Sequence, residues 1–356
     1  MAGFPGQDRH TDTASVAVGT HSSIARALPG HLPRTVPPML ASSAAEPFDS
    51  NSHVFEVLWD GVRALLFAER GQVRVQDRYG RDVTARYPEL QAAGPHLMGS
   101  GAVLDGVIVS PDDEGRPDFA RLLRRLSAAD YVEAALLAAK APVSFQAFDI
   151  LYRGGASVMS EPLRTRKTLL QQAVRDQRVI TVPDVVEREG VAFFEAARAH
   201  SLPGIVAKDG DSKYVPGERS RDWLAMRVFE RGKFVIGGCT YGRALRPGRP
   251  ARARGPFDSL LLGQYDSAGA LRLAGAVEGP FDRDVAADLA RSMDLLADST
   301  SPFVDEPAAA RLIFWTRPDM VASVRFAGRS PAGLRFAIFE CLRPDVPPSA
   351  CRLPED

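Results

Sequence analysis

Only five of the 44 basic residues in this 356-residue chain are lysines, Lys140, Lys167, Lys208, Lys213 and Lys233; the others are arginines. A guanidinium cannot act as an amine nucleophile, so any reaction through a side-chain amine has only these positions to use. A second grouping suits phosphate contact rather than covalent chemistry. Arg243, Arg246, Arg249, Arg252 and Arg254 recur between glycines and prolines over Tyr241 to Pro256. Such a flexible basic loop is suited to gripping DNA phosphates; the competing reading is a solvated, arginine-biased loop, because no aromatics are interleaved to stack bases. Asp60-Gly61, within Phe55-Glu-Val-Leu-Trp-Asp-Gly-Val-Arg63, has the composition of a tight turn. Cys239, Cys341 and Cys351 lack CxxC spacing and the six histidines form no metal-spaced cluster, so free thiols and no metal site are expected from them.

These groups need elements to position them. Length and a 45% hydrophobic composition fit two packed domains of an ordinary soluble protein. Acidic and basic residues balance at 44 each, so any binding to nucleic acid has to be local. No apolar run approaches the roughly 18 residues of a membrane span, and the N-terminus lacks the order of a secretory signal; a cytoplasmic monomer with no membrane partner is expected. Residues 1–35, rich in Ser, Thr, Ala, Gly and Pro, read as a disordered leader. Short apolar runs then predict strands at Val54 to Trp59, Val62 to Ala68, Gln72 to Gln76, Val103 to Val109 and Ser144 to Tyr152, with a turn at Arg78 to Asp82. One amphipathic helix is predicted between Pro117 and Lys140, another from Pro162 through Val174, and a shorter one at Val191 to His200. Strands follow at Gly204 to Lys208 and Trp223 to Phe229. Beyond them the pattern gives strands at Lys233 to Thr240, Ser259 to Tyr265, Leu271 to Ala276, Leu312 to Thr316, Met320 to Phe326 and Leu334 to Phe339, with a helix at Arg283 to Leu296. That second set suits a small β-barrel of OB type.

In order and spacing, Pro38-Met-Leu-Ala41, FEVLWDGVRAL from Phe55, DRYGRDVTARYPEL from Asp77, VLDGVIV from Val103, FDILY from Phe148, GIVAK from Gly204, YVPGERSRDWL from Tyr214, KFVIGG from Lys233 and FECLRPD from Phe339 resemble the ATP-dependent DNA ligases. The similarity is closest to the ligase module of bacterial ligase D type proteins and covers roughly Pro37 to Pro348. It implies an α+β architecture: an ATP-grasp-like nucleotidyltransferase domain followed by an OB-fold domain, with ATP between the two sheets of the first. The expected division is a leader over 1–35, the nucleotidyltransferase domain over 36–228, the OB domain over 229–348 and a tail over 349–356. The implied chemistry moves AMP from ATP to a lysine amine, then to a 5′-phosphate at a DNA nick, which a 3′-hydroxyl seals; such transfers use Mg2+ or Mn2+.

Matched position by position, Leu58 stands where the family has its nucleophilic lysine. The resemblance implies nucleotide contacts for Glu56 (adenine amino group), Asp60, Gly61, Arg63 (ribose), Arg78, Phe148 (stacking on adenine), Lys208 (phosphate) and Arg227. Other charged positions are lost: the acid of the family's LDGE is Val107, the acid before GIVAK is Pro203, two motif lysines are Ala225 and Arg227, and the C-terminal motif lysine is Val346. Losses confined to charged positions, with the apolar framework kept, are what a fold released from catalysis accumulates, since an unpaired buried charge costs several kcal/mol. The expectation is therefore a pseudo-ligase with no catalytic residue at the nucleophile position. It would bind ATP or nicked or broken double-stranded DNA beside other DNA-repair proteins, with the metal disfavoured. Two alternatives stay open: an active ligase using a substitute nucleophile, Lys208, and a protein-interaction module with an empty nucleotide pocket.

Overall fold

A computed structural model describes residues 32–97, 101–128, 130–174, 179–241, 257–305 and 312–354. The five arginines from Arg243 to Arg254 lie outside the described residues, as do residues 1–31. In chain order the first domain comprises β1 (Leu40–Ser43), β2 (Ser50–Val57), β3 (Val62–Glu69), β4 (Gln72–Asp77), β5 (Ala102–Val109), α1 (Phe119–Leu126), α2 (Tyr131–Lys140), β6 (Ser144–Arg153), β7 (Ala156–Ser157), α3 (Leu163–Ala173), β8 (Ile180–Thr181), β9 (Val186–Arg188), α4 (Gly190–Ala199), β10 (Gly204–Asp209) and β11 (Arg219–Arg227). They form two sheets, one ordered β1-β11-β10-β2-β9 and the other β4-β3-β5-β6-β7 with β8 also on β6.

The alternation of side chains across a strand explains how these sheets face each other. In the first sheet Phe55, Ile205, Ala207 and Met226 pack on one face with Ala197 of α4, so Glu56, Val206, Lys208 and Ala225 turn to the other. In the second, Ala64 and Leu66 meet Leu122 and Leu170 of the helices, while Leu65, Phe67, Val103 and Phe148 meet Trp223 of β11 in the facing sheet and Tyr214 from the β10–β11 connection. Leu32 and Val36 extend that inter-sheet core, and Gln76 anchors the entering chain by bonding Val36 through both its amide atoms.

The single helix expected between Pro117 and Lys140 is two. Asp118 caps α1, accepting from the amides of Ala120 and Arg121, and Asp130 caps α2, accepting from Glu133. A second N-cap residue inside an apolar period starts a new helix, a signal the periodicity alone hides. The framework also holds a fully buried bidentate pair: Arg166 of α3 donates to both carboxylate oxygens of Asp149 on β6 at 2.9 Å.

The second domain comprises β12 (Glu230–Tyr241), β13 (Ser259–Tyr265), β14 (Leu271–Glu278), α5 (Arg283–Leu295), β15 (Ala297–Asp298), β16 (Leu312–Phe326), β17 (Arg329–Ser330), β18 (Gly333–Leu334) and β19 (Ile338–Leu342). Its main sheet runs β14-β13-β12-β16-β15, with β19 on β16. Pairing shifts between Ile236 and Gly238 on β12, and a Cβ on Gly237 would lie 2.4 Å from the Phe303 ring. This glycine pair lets the strand bulge and the barrel curve. The two strands expected at Leu312 to Thr316 and Met320 to Phe326 are one, because Arg317-Pro318-Asp319 sits opposite that bulge instead of ending the strand. The strand expected at Leu334 to Phe339 is interrupted, since Phe336 has φ +50°, a conformation that takes a bulky residue out of the extended region. After the barrel, the chain returns over its outer face: Cys351 is buried and Leu353 donates its amide to Tyr265.

Candidate active site and its relatives

A pocket of about 380 Å³ opens between the two sheets of the first domain. Seven of the eight expected nucleotide contacts are found in or at it: Glu56, Arg63, Arg78, Phe148, Lys208 and Arg227 line it, and Asp60 sits in the turn after Trp59, a further wall residue. Gly61, the eighth, shapes that turn; a Cβ there would be 2.2 Å from the carbonyl oxygen of Ile108 on β5. Leu58, Val107 and Ala225, where the resemblance implies charged residues in the family, also form its wall.

Glu56 is buried rather than solvated. Its carboxylate lies 2.6 Å from Nζ of Lys167 on α3 and 2.9 Å from Nζ of Lys208 on β10. Burial pushes the Glu56 carboxyl up, but the two ammonium groups outweigh it and hold the group below its usual range. Nζ of Lys208 also lies 3.8 Å from the centre of the Phe148 ring and 4.4 Å from that of Trp223. The aromatic face expected to stack adenine is therefore covered by a lysine head, in a cation–π contact strengthened by desolvation. Burial pulls Lys208 down to about 8 despite the opposing pull of Glu56.

That shift predicts a pH dependence. Free lysine titrates near 10.5, so between about pH 8 and 10.5 the unfolded chain binds the proton that folded Lys208 has released. Stability from this group thus rises with pH across that window. Thermal melts of the parent and Lys208→Met at pH 8 to 10 should show the parent gaining on the variant by on the order of 1–3 kcal/mol. A flat difference would mean Lys208 keeps its proton to the ordinary lysine range.

Arg63 is fixed from the opposite sheet. Its guanidinium donates to both oxygens of Asp105 at 2.6 Å, donates to the Met39 carbonyl at 3.1 Å, and lies 4.6 Å from the Phe148 ring centre. Burial opposes its charge, but Asp105 outweighs that and raises its pKa. Tyr214 donates its hydroxyl to the same carboxylate at 2.7 Å; burial and Asp105 push that phenol well above its usual range.

The second domain reaches this pocket. Arg335 forms an ion pair with Asp60 and lies 4.2 Å from the ring centre of Phe119, while Arg227 lies over the Phe336 ring at 4.0 Å. Phe336 itself lines the pocket mouth. Burial and the neighbouring Arg335 both push Arg227 down, against Asp60. Removing the ion pair should loosen the domain arrangement: Arg335→Ala is expected to increase the radius of gyration in solution scattering and to speed proteolysis near Val228 to Gly232, with little change in melting temperature. An unchanged scattering profile would show that other contacts hold the domains.

Lys167, Trp223, Asp105, Tyr214, Arg335 and Phe336 belong to the site, and the sequence assigns none of them a role there. Asp105, Tyr214 and Trp223 do fall within motifs that carry the family resemblance, and strand parity was the signal that could have turned Asp105 and Trp223 inward.

The comparisons agree with this geometry. Residues 38–227 match the model of the ATP dependent DNA ligase domain and residues 253–346 that of the ATP dependent DNA ligase C terminal region. The multifunctional non-homologous end joining DNA repair protein LigD of Mycobacterium tuberculosis is 34% identical over 317 residues, covering 88% of this chain but only 39% of that protein. The chain thus spans well under half the length of that relative. DNA ligase C1 of Mycolicibacterium smegmatis is 30% identical over 336 residues, with 89% of this chain and 92% of that protein covered. A solved structure of mycobacterial DNA ligase D complexed with ATP and MES superposes with a TM-score of 0.51 at 33% identity, covering 89% of this chain and 97% of that one. With a nucleotidyltransferase domain, an OB-fold domain and this order of motifs, the chain belongs to the ATP-dependent DNA ligase family.

Proposed function

We propose that this chain is a non-adenylating member of the family, whose pocket holds a phosphate-bearing ligand, a nucleotide or a DNA end, without transferring AMP. The observation that carries this reading is Leu58, a half-buried wall residue at the nucleophile position whose methyl groups offer no lone pair. The surrounding wall supports it. Arg63, Arg78, Arg219 and Arg227 supply cations suited to phosphates. Among the described residues Glu56 is the one carboxylate in the lining, and two lysines hold it. Hard divalent cations need oxygen donors, so this residue set does not fit a metal-bound triphosphate. Adenine stacking would further require Lys208 to leave the Phe148 face. The end-joining repair named for the LigD relatives is the setting proposed for an accessory role, with nicked or broken duplex DNA and repair proteins as partners.

Incubating the protein with α-labelled ATP and magnesium or manganese, followed by a denaturing gel and intact mass, tests the reading. No adenylate is expected beside a functional ligase control. One observation favours a second reading: Lys208 is the sole amine in the lining among the described residues, and burial lowers its pKa to about 8. In that case its neutral Nζ would bond to the α-phosphorus as the bond to pyrophosphate breaks, and the added mass would map to Lys208.

A further inference from the structure

The two features of this pocket that would recognise a nucleobase are both taken by the chain's own cations. Phe148 is only 7% exposed. Nζ of Lys208 lies 3.8 Å from its ring centre and the Arg63 guanidinium 4.6 Å, while Trp223 meets it edge to face at 6.1 Å. A base stacks through an open aromatic face, and here two cations hold that surface. Glu56, the acceptor that a purine amino group would need, has one carboxylate oxygen 2.6 Å from Nζ of Lys167 and the other 2.9 Å from Nζ of Lys208. Freeing either the ring or the carboxylate for a base means parting a buried ion pair, which leaves a buried charge without its partner.

The phosphate side of the pocket is in the opposite condition. Arg78, Arg219 and Arg227 line it, and among the described residues none of the three is in an ion pair. Arg219 donates to the Ala41 carbonyl and Arg227 lies over the Phe336 ring. Asp60, in the adjoining turn, is already paired with Arg335. Like charges converging on a concavity favour an anion shared among them, and guanidinium forks match phosphate oxygens. Resting on the reading of this pocket as a phosphate site that transfers no AMP, we infer that the site is blind to the nucleobase: it takes a chain of phosphates, whether inorganic oligophosphate or the triphosphate of any nucleoside, and Lys208 is the residue that shuts the base out. The arginines neutralise the phosphates in the role a divalent cation would otherwise fill, so binding needs no metal.

The test is isothermal titration calorimetry of the full chain in EDTA with ATP, GTP, CTP, inorganic tripolyphosphate and adenosine. The four phosphate ligands should agree within about threefold in affinity, and adenosine should give no binding heat. Arg78→Gln/Arg227→Gln should weaken all four by at least about tenfold, which places them in this pocket. Lys208→Ala bares the Phe148 face while Lys167 keeps Glu56 paired. It should tighten ATP by at least about fivefold relative to tripolyphosphate, a gain that misfolding cannot mimic. ATP that binds the parent at least about tenfold more tightly than tripolyphosphate would overturn base blindness and leave the wider reading of a phosphate site intact. A ratio of ATP to tripolyphosphate affinity that Lys208→Ala leaves unchanged would likewise overturn the inference alone. Tripolyphosphate that does not bind, or that binds the double arginine variant as well as the parent, would overturn the inference and the phosphate-site reading together.

Discussion

Replacing Asp105 with alanine should lower the unfolding free energy by about 3–5 kcal/mol, among the largest effects of any single substitution around the pocket. Asp105 is fully buried and accepts three hydrogen bonds, two from Arg63 and one from Tyr214. Tyr214 in turn accepts the backbone amide of Met39, so one carboxylate ties β5 to β3, to the entering N-terminal segment and to the β10–β11 connection. Alanine would leave the buried phenol without its acceptor and the guanidinium with only the Met39 carbonyl, and the penalty is that of an uncompensated charge, larger than the net value of the hydrogen bonds themselves. Two comparisons separate these terms. Tyr214→Phe should cost about 1–3 kcal/mol, because it breaks two hydrogen bonds and leaves the buried Met39 amide without its acceptor while keeping the ion pair. Asp105→Leu combined with Arg63→Met should cost less than Asp105→Ala alone, because it removes both charges together. Urea denaturation gives all three numbers. An Asp105→Ala midpoint equal to the parent's would mean that water or a rotated Arg63 already satisfies the site. If the variant folds, the pocket should change as well, since Arg63 would be released from the bidentate hold that keeps it beside Phe148.

How much of this was legible in the sequence follows from the range of each interaction. Period-two alternation placed the strands, and the order of short motifs placed Glu56, Arg63, Phe148 and Lys208 on one pocket, because a strand carries its parity within a few residues. The motif read Glu56 as an adenine contact; it could not show that Lys167, 111 positions later on α3, closes on the same carboxylate. Arg335 and Phe336 were invisible for a stronger reason: they belong to the other domain, and their place at the pocket depends on how the domains meet. The helix break at Asp130 was readable in principle, since Asp is a good N-cap, but the apolar period across Pro117 to Lys140 outweighed it. The bulge at Gly237 and Gly238 similarly turned two expected strands into one long bent strand on the partner side.

On the proposed reading, a lysine at position 58 alone should not be enough for adenylation. Leu58→Lys is expected to form no adenylate above background, whereas Leu58→Lys combined with Val107→Glu, Pro203→Glu and Ala225→Lys should raise adenylation by at least about 100-fold over the single variant. A lysine at 58 would enter a wall already lined by Arg63, Arg78, Lys208, Arg219 and Arg227 against one carboxylate. Those neighbours favour its neutral, nucleophilic form, so a lone pair is not what the single variant would lack. What it would lack is charge arranged for the transition state: acids at 107 and 203 to hold a divalent cation against the triphosphate, and an amine at 225. Val107 sits opposite Arg63 on the neighbouring strand and Ala225 opposite Val206, and both line the pocket with Leu58, so the groups added at 107 and 225 would face the same space as the new lysine. The added acids would also draw the arginines away from one another, relieving the excess positive charge that the single variant increases. Efficient adenylation by Leu58→Lys alone, measured by intact mass with equal ATP and metal, would instead mean that the rest of the pocket is still built for the chemistry.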